Sequence, residues 1–167
     1  MKEFPREKIN AAYLYVVTLC SPRHRKLPGE KENYTREELA TLFNWSRRVG
    51  DFHIKHSFSH VYQNGKNVPI VPIEDCIDFV RARRSDYMND CKKIFLEGLL
   101  GTEPLLGILG CNASVFYESC IRRGMPSINI STGKKARRRF PRITTIEFME
   151  RYVSPIVVQR TRESVPF

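Results

Sequence analysis

The sequence predicts a mainly helical α+β chain in which one small unit, two helices followed by a β-hairpin and a closing helix, is built twice, the copies joined by a further helix. Three observations carry that expectation. Apolar residues recur at a fixed spacing: a shift of 67 residues brings Leu39 onto Leu106, Leu42 onto Leu109, Ile54 onto Ile121 and Val61 onto Ile128. Beyond the hairpin the shift becomes 69, pairing Pro72 with Pro141, Ile77 with Ile146 and Phe79 with Phe148, so one hairpin is two residues longer. The copies also share the order helix, turn, helix, hairpin, proline, helix, with the turns at Asn44-Trp45-Ser46 and Gly110-Cys111-Asn112. Finally, 167 residues that are 41% hydrophobic give room and apolar mass for one ordinary domain, or two small ones, with true cores.

Residues 1–33 read as an N-terminal helix and a charged loop. Ile9, Ala12, Tyr13, Val16 and Val17 keep helical spacing from Arg6 to Cys20, Ser21-Pro22 stops the run, and the helix is expected to pack on the first copy. That copy, 34–80, opens on Thr35-Arg36-Glu37-Glu38, a capping pattern in which the Thr35 hydroxyl takes a free helix amide and Glu38 returns the bond. Its first helix is predicted to run to Phe43 with Leu39 and Leu42 inside, and its second from Ser46 to about His56 with Val49, Phe52 and His53 inward. Phe58–Gln63 alternates apolar and polar residues, Asn64-Gly65-Lys66-Asn67 turns the chain, and Val68–Val71 returns. Pro72 suits a first helical turn, where Glu74 and Asp75 meet the positive end of the helix dipole.

Residues 81–100 carry Tyr87, Cys91, Ile94, Phe95 and Leu99 at helical spacing and read as a connecting helix, either packed between the copies or serving a homodimer contact. The second copy, 101–153, places helices at Glu103–Leu109 and Ala113–Arg123 and stops the latter at Gly124. Its hairpin runs from Ile128–Ser131 to Arg137–Phe140, and its closing helix carries Ile146, Phe148, Met149 and Tyr152 inside. Residues 154–167 read as a mobile basic tail.

The formal charge of +10 points to a polyanionic partner, because positive side chains gain affinity by releasing counterions from phosphates. It is uneven. Residues 1–80 carry 12 basic and 10 acidic side chains and residues 81–167 carry 16 and 8, so the second half holds +8 of the charge. Cys20, Cys76, Cys91, Cys111 and Cys120 form no C-x-x-C pair, which argues against a disulfide framework or zinc ribbon and for a reducing cytoplasm. The longest apolar run, Ala11–Cys20, is too short to cross a bilayer, and no membrane partner is expected. With no P-loop, nucleophile elbow, paired acidic motif or H-x-E cluster, the reading is of a non-enzyme without cofactor. His53, His56 and His60 lack a nearby carboxylate or cysteine to complete a tetrahedral set, so no metal is expected either.

Leu109-Gly110, Asn112, Phe116-Tyr117, Arg122-Arg123-Gly124, Pro126 and Arg137-Arg138-Arg139-Phe140-Pro141 follow a recognisable order: leucine-glycine, polar turn, aromatic-bearing second helix, basic pair with glycine and proline, basic wing ending in proline. In that order Leu105–Met149 resembles the excisionase-type winged helix-turn-helix of the MerR-like superfamily, which includes AlpA-like phage regulators. One residue more than usual lies between the turn and Gly124. The first copy departs further: Ser57 stands for the helix-ending glycine, Ser59 for Pro126, and Lys66 is the one full positive charge of its wing. The resemblance implies two tandem winged helix-turn-helix units holding double-stranded DNA, the second as the main anchor.

In such a unit the second helix enters the major groove, its N-terminal half reading base edges while the wing meets phosphate or the minor groove. The candidates are Ser46, Arg47, Arg48 and Lys55 on the first copy's second helix and Lys66 on its wing; in the second copy they are Asn112, Ser114, Tyr117, Arg122 and Arg123. Arg47 or Arg48 would read guanine in bidentate fashion, worth about 1–3 kcal/mol of discrimination, although a solvated helix face carries the same charges. Lys134-Lys135-Ala136-Arg137-Arg138-Arg139 is the strongest electrostatic feature. Side chains alternate along a strand and cannot all face one groove, so Lys135, Arg137 and Arg139 are the expected DNA contacts, with Lys134 and Arg138 on phosphate or solvated. Cys111 and Cys120 read as small packing residues, and Trp45 as an aromatic that packs the turn.

The expected function is therefore sequence-specific DNA binding in a phage or mobile element, as a transcription regulator or an excisionase-like architectural factor on the bacterial nucleoid. Two linked modules would bind neighbouring half-sites and raise each other's effective concentration. The alternative, suggested by the weak wing and low net charge of residues 1–80, is an adaptor in which only the second unit binds DNA while the first recruits an integrase, RNA polymerase or packaging enzyme.

Overall fold

The computed structural model describes residues 3–20, 26–85 and 90–164. The protein is mixed α+β, with two small three-stranded antiparallel sheets. Apolar spacing and caps set its first elements. α1 (Arg6–Cys20) buries Ile9, Ala12, Tyr13, Val16, Val17 and Cys20 along one stripe. α2 (Arg36–Phe43) starts where Thr35 Oγ1 accepts the Glu38 amide at 3.3 Å and stops at Asn44, whose φ of 51° is left-handed. α3 (Arg47–His56) is capped in the same way, Ser46 Oγ accepting the Val49 amide at 3.3 Å.

β1 (Asn33–Thr35), β2 (Tyr62–Gln63) and β3 (Pro69–Pro72) form one sheet in the order β1-β3-β2, and α4 (Ile73–Arg83) follows β3 directly. The chain continues through α5 (Cys91–Glu97), β4 (Leu99–Gly101) and α6 (Glu103–Leu109) to α7 (Ala113–Phe116), which runs into a π turn (Tyr117–Ile121). β5 (Ile128–Asn129), β6 (Arg138–Pro141), α8 (Arg142–Met149) and α9 (Pro155–Ser164) complete it. The second sheet has the order β4-β6-β5, so in both sheets a strand preceding the helix pair joins the second strand of the hairpin. Tyr34 thus faces Val71, and Leu100 faces Phe140.

The order of elements recurs, at a register that differs from the expected one. The left-handed caps Asn44 and Gly110, and the N-caps Ser46 and Asn112, are 66 residues apart. Leu39 therefore matches Leu105, and Phe43 matches Leu109, all four buried, in place of the pairing of Leu39 with Leu106 and Leu42 with Leu109. By His53 and Cys120, whose carbonyls accept the amides of Phe58 and Met125, the shift has reached 67. The π turn takes up the extra residue, so the expected continuous helix Ala113–Arg123 changes geometry at Tyr117 and ends before Gly124, at φ 105°.

Two compact units cut across the copies. The terminal unit holds Met1–Lys26, Thr102–Pro126 and Arg142–Phe167, and the inner unit holds Leu27–Gly101 and Ser127–Pro141. In the terminal unit α1 packs on α6, α8 and α9, which corrects its expected placement on the first copy. Two helix ends favour that arrangement. Lys8 Nζ donates to the Leu109 carbonyl at the end of α6 (3.4 Å), and Arg142 Nη1 to the Leu19 carbonyl near the end of α1 (2.9 Å), each a cation at the negative end of a helix dipole. α9 corrects the expected mobile tail: Thr161 is buried, and Arg162 donates to both oxygens of Glu150, Nε to Oε1 at 3.2 Å. The Tyr13 hydroxyl donates to the same carboxylate at 3.2 Å, and burial together with Glu150 pushes its pKa up to about 12.

Both sheets belong to the inner unit, and α2 to α5 share one core with them. Phe43 stacks on Trp45 at 4.5 Å and meets Phe79 edge-on at 5.0 Å, while Ile128 and Ile130 enter the same cluster from the second sheet. The expected connecting helix is interrupted. Arg84 is extended (φ −67°, ψ 146°) and bridges to Ile128, and the expected helical residue Tyr87 lies outside the described residues. Asp90 Oδ1 then accepts the Lys93 amide at 2.9 Å to start α5, and Gly98 at φ 77° releases Leu99 and Leu100 into β4.

Candidate nucleic-acid interface

Three buried residues, Val49, Gly50 and His53, fix which way α3 faces. Arg47, Arg48, Asp51, Phe52 and Lys55 consequently point outward, with Arg48 and Lys55 two turns apart on one line. Phe52, expected inside, is 37% exposed because the buried stripe of 49, 50 and 53 leaves position 52 on its flank. Ser46 is exposed but engaged as the cap. Asp51, the one acidic group of this face, is met by Arg36 at 3.1 Å and Arg47 at 3.9 Å, which offsets its charge.

The basic loop of the second copy lies beside this helix. A groove of about 450 Å³ is lined by Val49 of α3 and by residues 130–137, Lys134, Lys135 and Arg137 among them. Ser127–Pro141 contains five basic residues and no acidic one. Its path is set by local bonds: Asn129 Oδ1 accepts the amides of Ser131 (3.0 Å) and Arg137 (3.1 Å), and the Ile130 amide donates to the Arg137 carbonyl at 2.8 Å. These bonds leave the side chains of Lys134, Lys135 and Arg137 exposed. Arg138 and Arg139 are only half-exposed. Arg138 Nη1 reaches Ser127 Oγ at 3.4 Å, and Arg139, an expected DNA contact, donates Nε to the Asn44 carbonyl at 2.9 Å, holding the turn that ends α2. Lys66 stands in the turn of the other hairpin, where Asn64 Oδ1 holds its amide at 2.9 Å, and does not line the groove.

The remaining candidates belong to the terminal unit. Asn112 Oδ1 caps α7 by accepting the Val115 amide at 2.9 Å, and exposed Ser114 follows it. Tyr117, 39% exposed, opens the π turn, and Val115 is 41% exposed. Arg122 pairs with Glu118 at 3.0 Å and Arg123 with Glu3 at 2.8 Å, so both carry an acidic neighbour. The structure thus gathers Ser46, Arg47, Arg48 and Lys55 with Lys134, Lys135 and Arg137 in one unit, and places Asn112, Ser114, Tyr117, Arg122 and Arg123 in the other.

Two residues bond to the loop in ways that the sequence does not reveal, although His53 was expected to face inward. His53 is fully buried, stacks on Trp45, and has its Nε2 2.8 Å from the Ile130 carbonyl and its Nδ1 2.6 Å from Ser57 Oγ. A carbonyl only accepts, so Nε2 carries the proton and Nδ1 takes the serine hydroxyl's hydrogen. Burial lowers the pKa of His53; the bond to Ile130 opposes this and the Arg83 charge adds to it. Arg83 Nη1 donates to the carbonyls of Asn129 (3.2 Å) and Ser131 (3.0 Å), with its guanidinium 4.6 Å from the centre of the Phe79 ring. No spacing rule could mark Arg83, since its partners are backbone carbonyls 46 and 48 residues away.

His56 rests against the Phe52 ring, and His60 Nδ1 lies 3.1 Å from Asp75 Oδ1, which corrects the expected lack of a nearby carboxylate. Among the described residues no group of three or more His, Cys, Asp or Glu side chains is placed to hold a metal ion. Burial pushes the Cys120 thiol up to about 11 and that of Cys76 higher still, which makes both poor nucleophiles. No single helix among the described residues is long and apolar enough to cross a membrane. No family model, curated protein or solved structure matches the chain.

Proposed function

We propose that the chain is a sequence-specific double-stranded DNA-binding protein built from two tandem winged helix-turn-helix units, with its principal DNA surface on the inner unit. One observation carries this reading: an exposed basic loop free of acidic residues shares a groove with α3, a helix whose outward face presents Arg48 and Lys55. Helix in the major groove and loop on the phosphates is the division of labour such a surface supports. A role as transcription regulator or excisionase-like factor of a phage or mobile element rests on the resemblance of Leu105–Met149 alone. Selection of bound duplexes from a random pool, followed by footprinting and a bending assay on the winner, tests both levels. Enrichment of one motif supports sequence-specific binding, and its absence at low salt overturns it.

The second reading is the adaptor, and the terminal unit is where it finds support. There the helix following the turn exposes Val115 and Tyr117, and Arg122 and Arg123 sit beside carboxylates, a surface better suited to a protein such as an integrase or polymerase than to phosphate. In this version the terminal unit, rather than the first copy, recruits the partner.

A further inference from the structure

We infer that His53 and Arg83 are positioning residues that clamp the base of the basic loop beside α3, so that the wing of the second copy serves the reading helix of the first. This deepens the DNA-binding reading and rests on it. The clamp takes three consecutive carbonyls: Asn129 and Ser131 accept from Arg83 on α4, and Ile130 accepts from His53 on α3. Such anchoring is needed. β5 pairs with β6 through two residues, Ile128 with Arg139 and Asn129 with Arg138, extended by the bond from the Ile130 amide to the Arg137 carbonyl, and the loop beyond carries like charges that repel one another. The scaffold itself does not demand the clamp. In the second copy the position of His53 is held by Cys120, and that of Arg83, at the shift of 69, by Tyr152, which packs on Phe148 at 5.4 Å. Neither provides a charged or imidazole donor, yet that copy forms the same succession of elements.

The test uses the full chain with His53→Phe, which keeps an aromatic ring against Trp45 but removes both hydrogen bonds, and His53→Gln, whose amide restores a donor toward Ile130. Arg83→Met, which keeps an unbranched stem over Phe79, is the second route should His53→Phe fail to fold. Amide hydrogen exchange is read in the free protein, and affinity for a 20-base-pair duplex of mixed sequence is read across a salt series. Exchange of the Ile130 and Arg137 amides is expected to quicken by about tenfold in His53→Phe and in Arg83→Met while α2 and α4 stay protected. The slope of log affinity against log salt is expected to fall by about one, as for the loss of one phosphate contact, with His53→Gln recovering both readouts. Unchanged loop exchange in both variants overturns the clamp. Should the wild-type chain show no affinity for the duplex, the DNA-binding reading falls and the exchange result decides the clamp by itself.

Discussion

Trp45 lies between Phe43 and His53 with ring centres 4.5 and 5.1 Å away, and Gly50 is the residue that makes room for it. A methyl group at position 50 would sit 2.8 Å from Nε1 of the indole, a rigid ring with no flexible end to swing aside. Alanine is the better helix former by about 1 kcal/mol, so propensity alone predicts that Gly50→Ala stabilises. Packing predicts the reverse, a loss of about 1–3 kcal/mol, and urea unfolding decides by the sign of the midpoint shift. His53 supplies a second prediction at this scale. Its pKa is lowered in the fold, so below the unfolded value of about 6.5 the unfolded chain takes up the proton first. The stabilisation is therefore complete above that pH and declines as the pH falls through it toward the folded value. Urea midpoints at pH 7.5 and 5.5 should differ more for the wild type than for His53→Gln, and equal differences would count against a buried neutral imidazole. Arg83 is the ionisable group acting on the ring from another element, and it stays charged throughout.

At the scale of elements, the Thr35 cap was legible because it is local, its hydroxyl accepting the Glu38 amide, but the expected return bond is not made, since Glu38 Oε1 pairs with Lys31 instead. The connecting helix was not legible, because Cys91, Ile94, Phe95 and Leu99 satisfy a helical period whether or not Gly98 turns the chain into β4. That choice is made by Pro141 and Phe140, which offer Leu99 and Leu100 a strand to join. The tail was misread for a similar reason. Nothing in Pro155–Ser164 announces a buried face, yet Thr161 is buried and Arg162 grips Glu150 together with Tyr13. A tail would be dispensable; α9 should not be. Truncation after Ser154 is expected to lower stability by about 1–3 kcal/mol, since it leaves the half-buried Glu150 without its arginine and uncovers part of α1, and a melting temperature equal to that of the full chain would restore the tail reading.

At the scale of the whole molecule, a recurring order of elements could be read from sequence, but which helix the second hairpin's loop lies beside could not. The spacing of Pro72, Phe79 and their partners reports a recurring order of elements, whereas the bonds from His53 and Arg83 to residues 129–131 join positions far apart in the chain. The extra residue before Gly124 was visible as a count, and its physical form as a π turn was not. From this follows a prediction that separates the two basic clusters. Lys134, Lys135 and Arg137 are exposed on a loop without carboxylates, so each is available to a phosphate; Arg122 and Arg123 already face Glu118 and Glu3. A surface ion pair is worth little to stability, but its carboxylate still repels phosphate and cancels much of the arginine's field within a Debye length. Replacing Lys134, Lys135 and Arg137 together by alanine should reduce the salt slope of duplex binding by about two to three. Replacing Arg122 and Arg123 should reduce it by less than about one, below the two expected for a pair of free phosphate contacts. Circular dichroism would check that both variants keep their helices. If the two sets weaken binding equally per charge removed, the terminal unit binds DNA as strongly as the inner one, and the asymmetry argued from the pairing of its arginines is wrong.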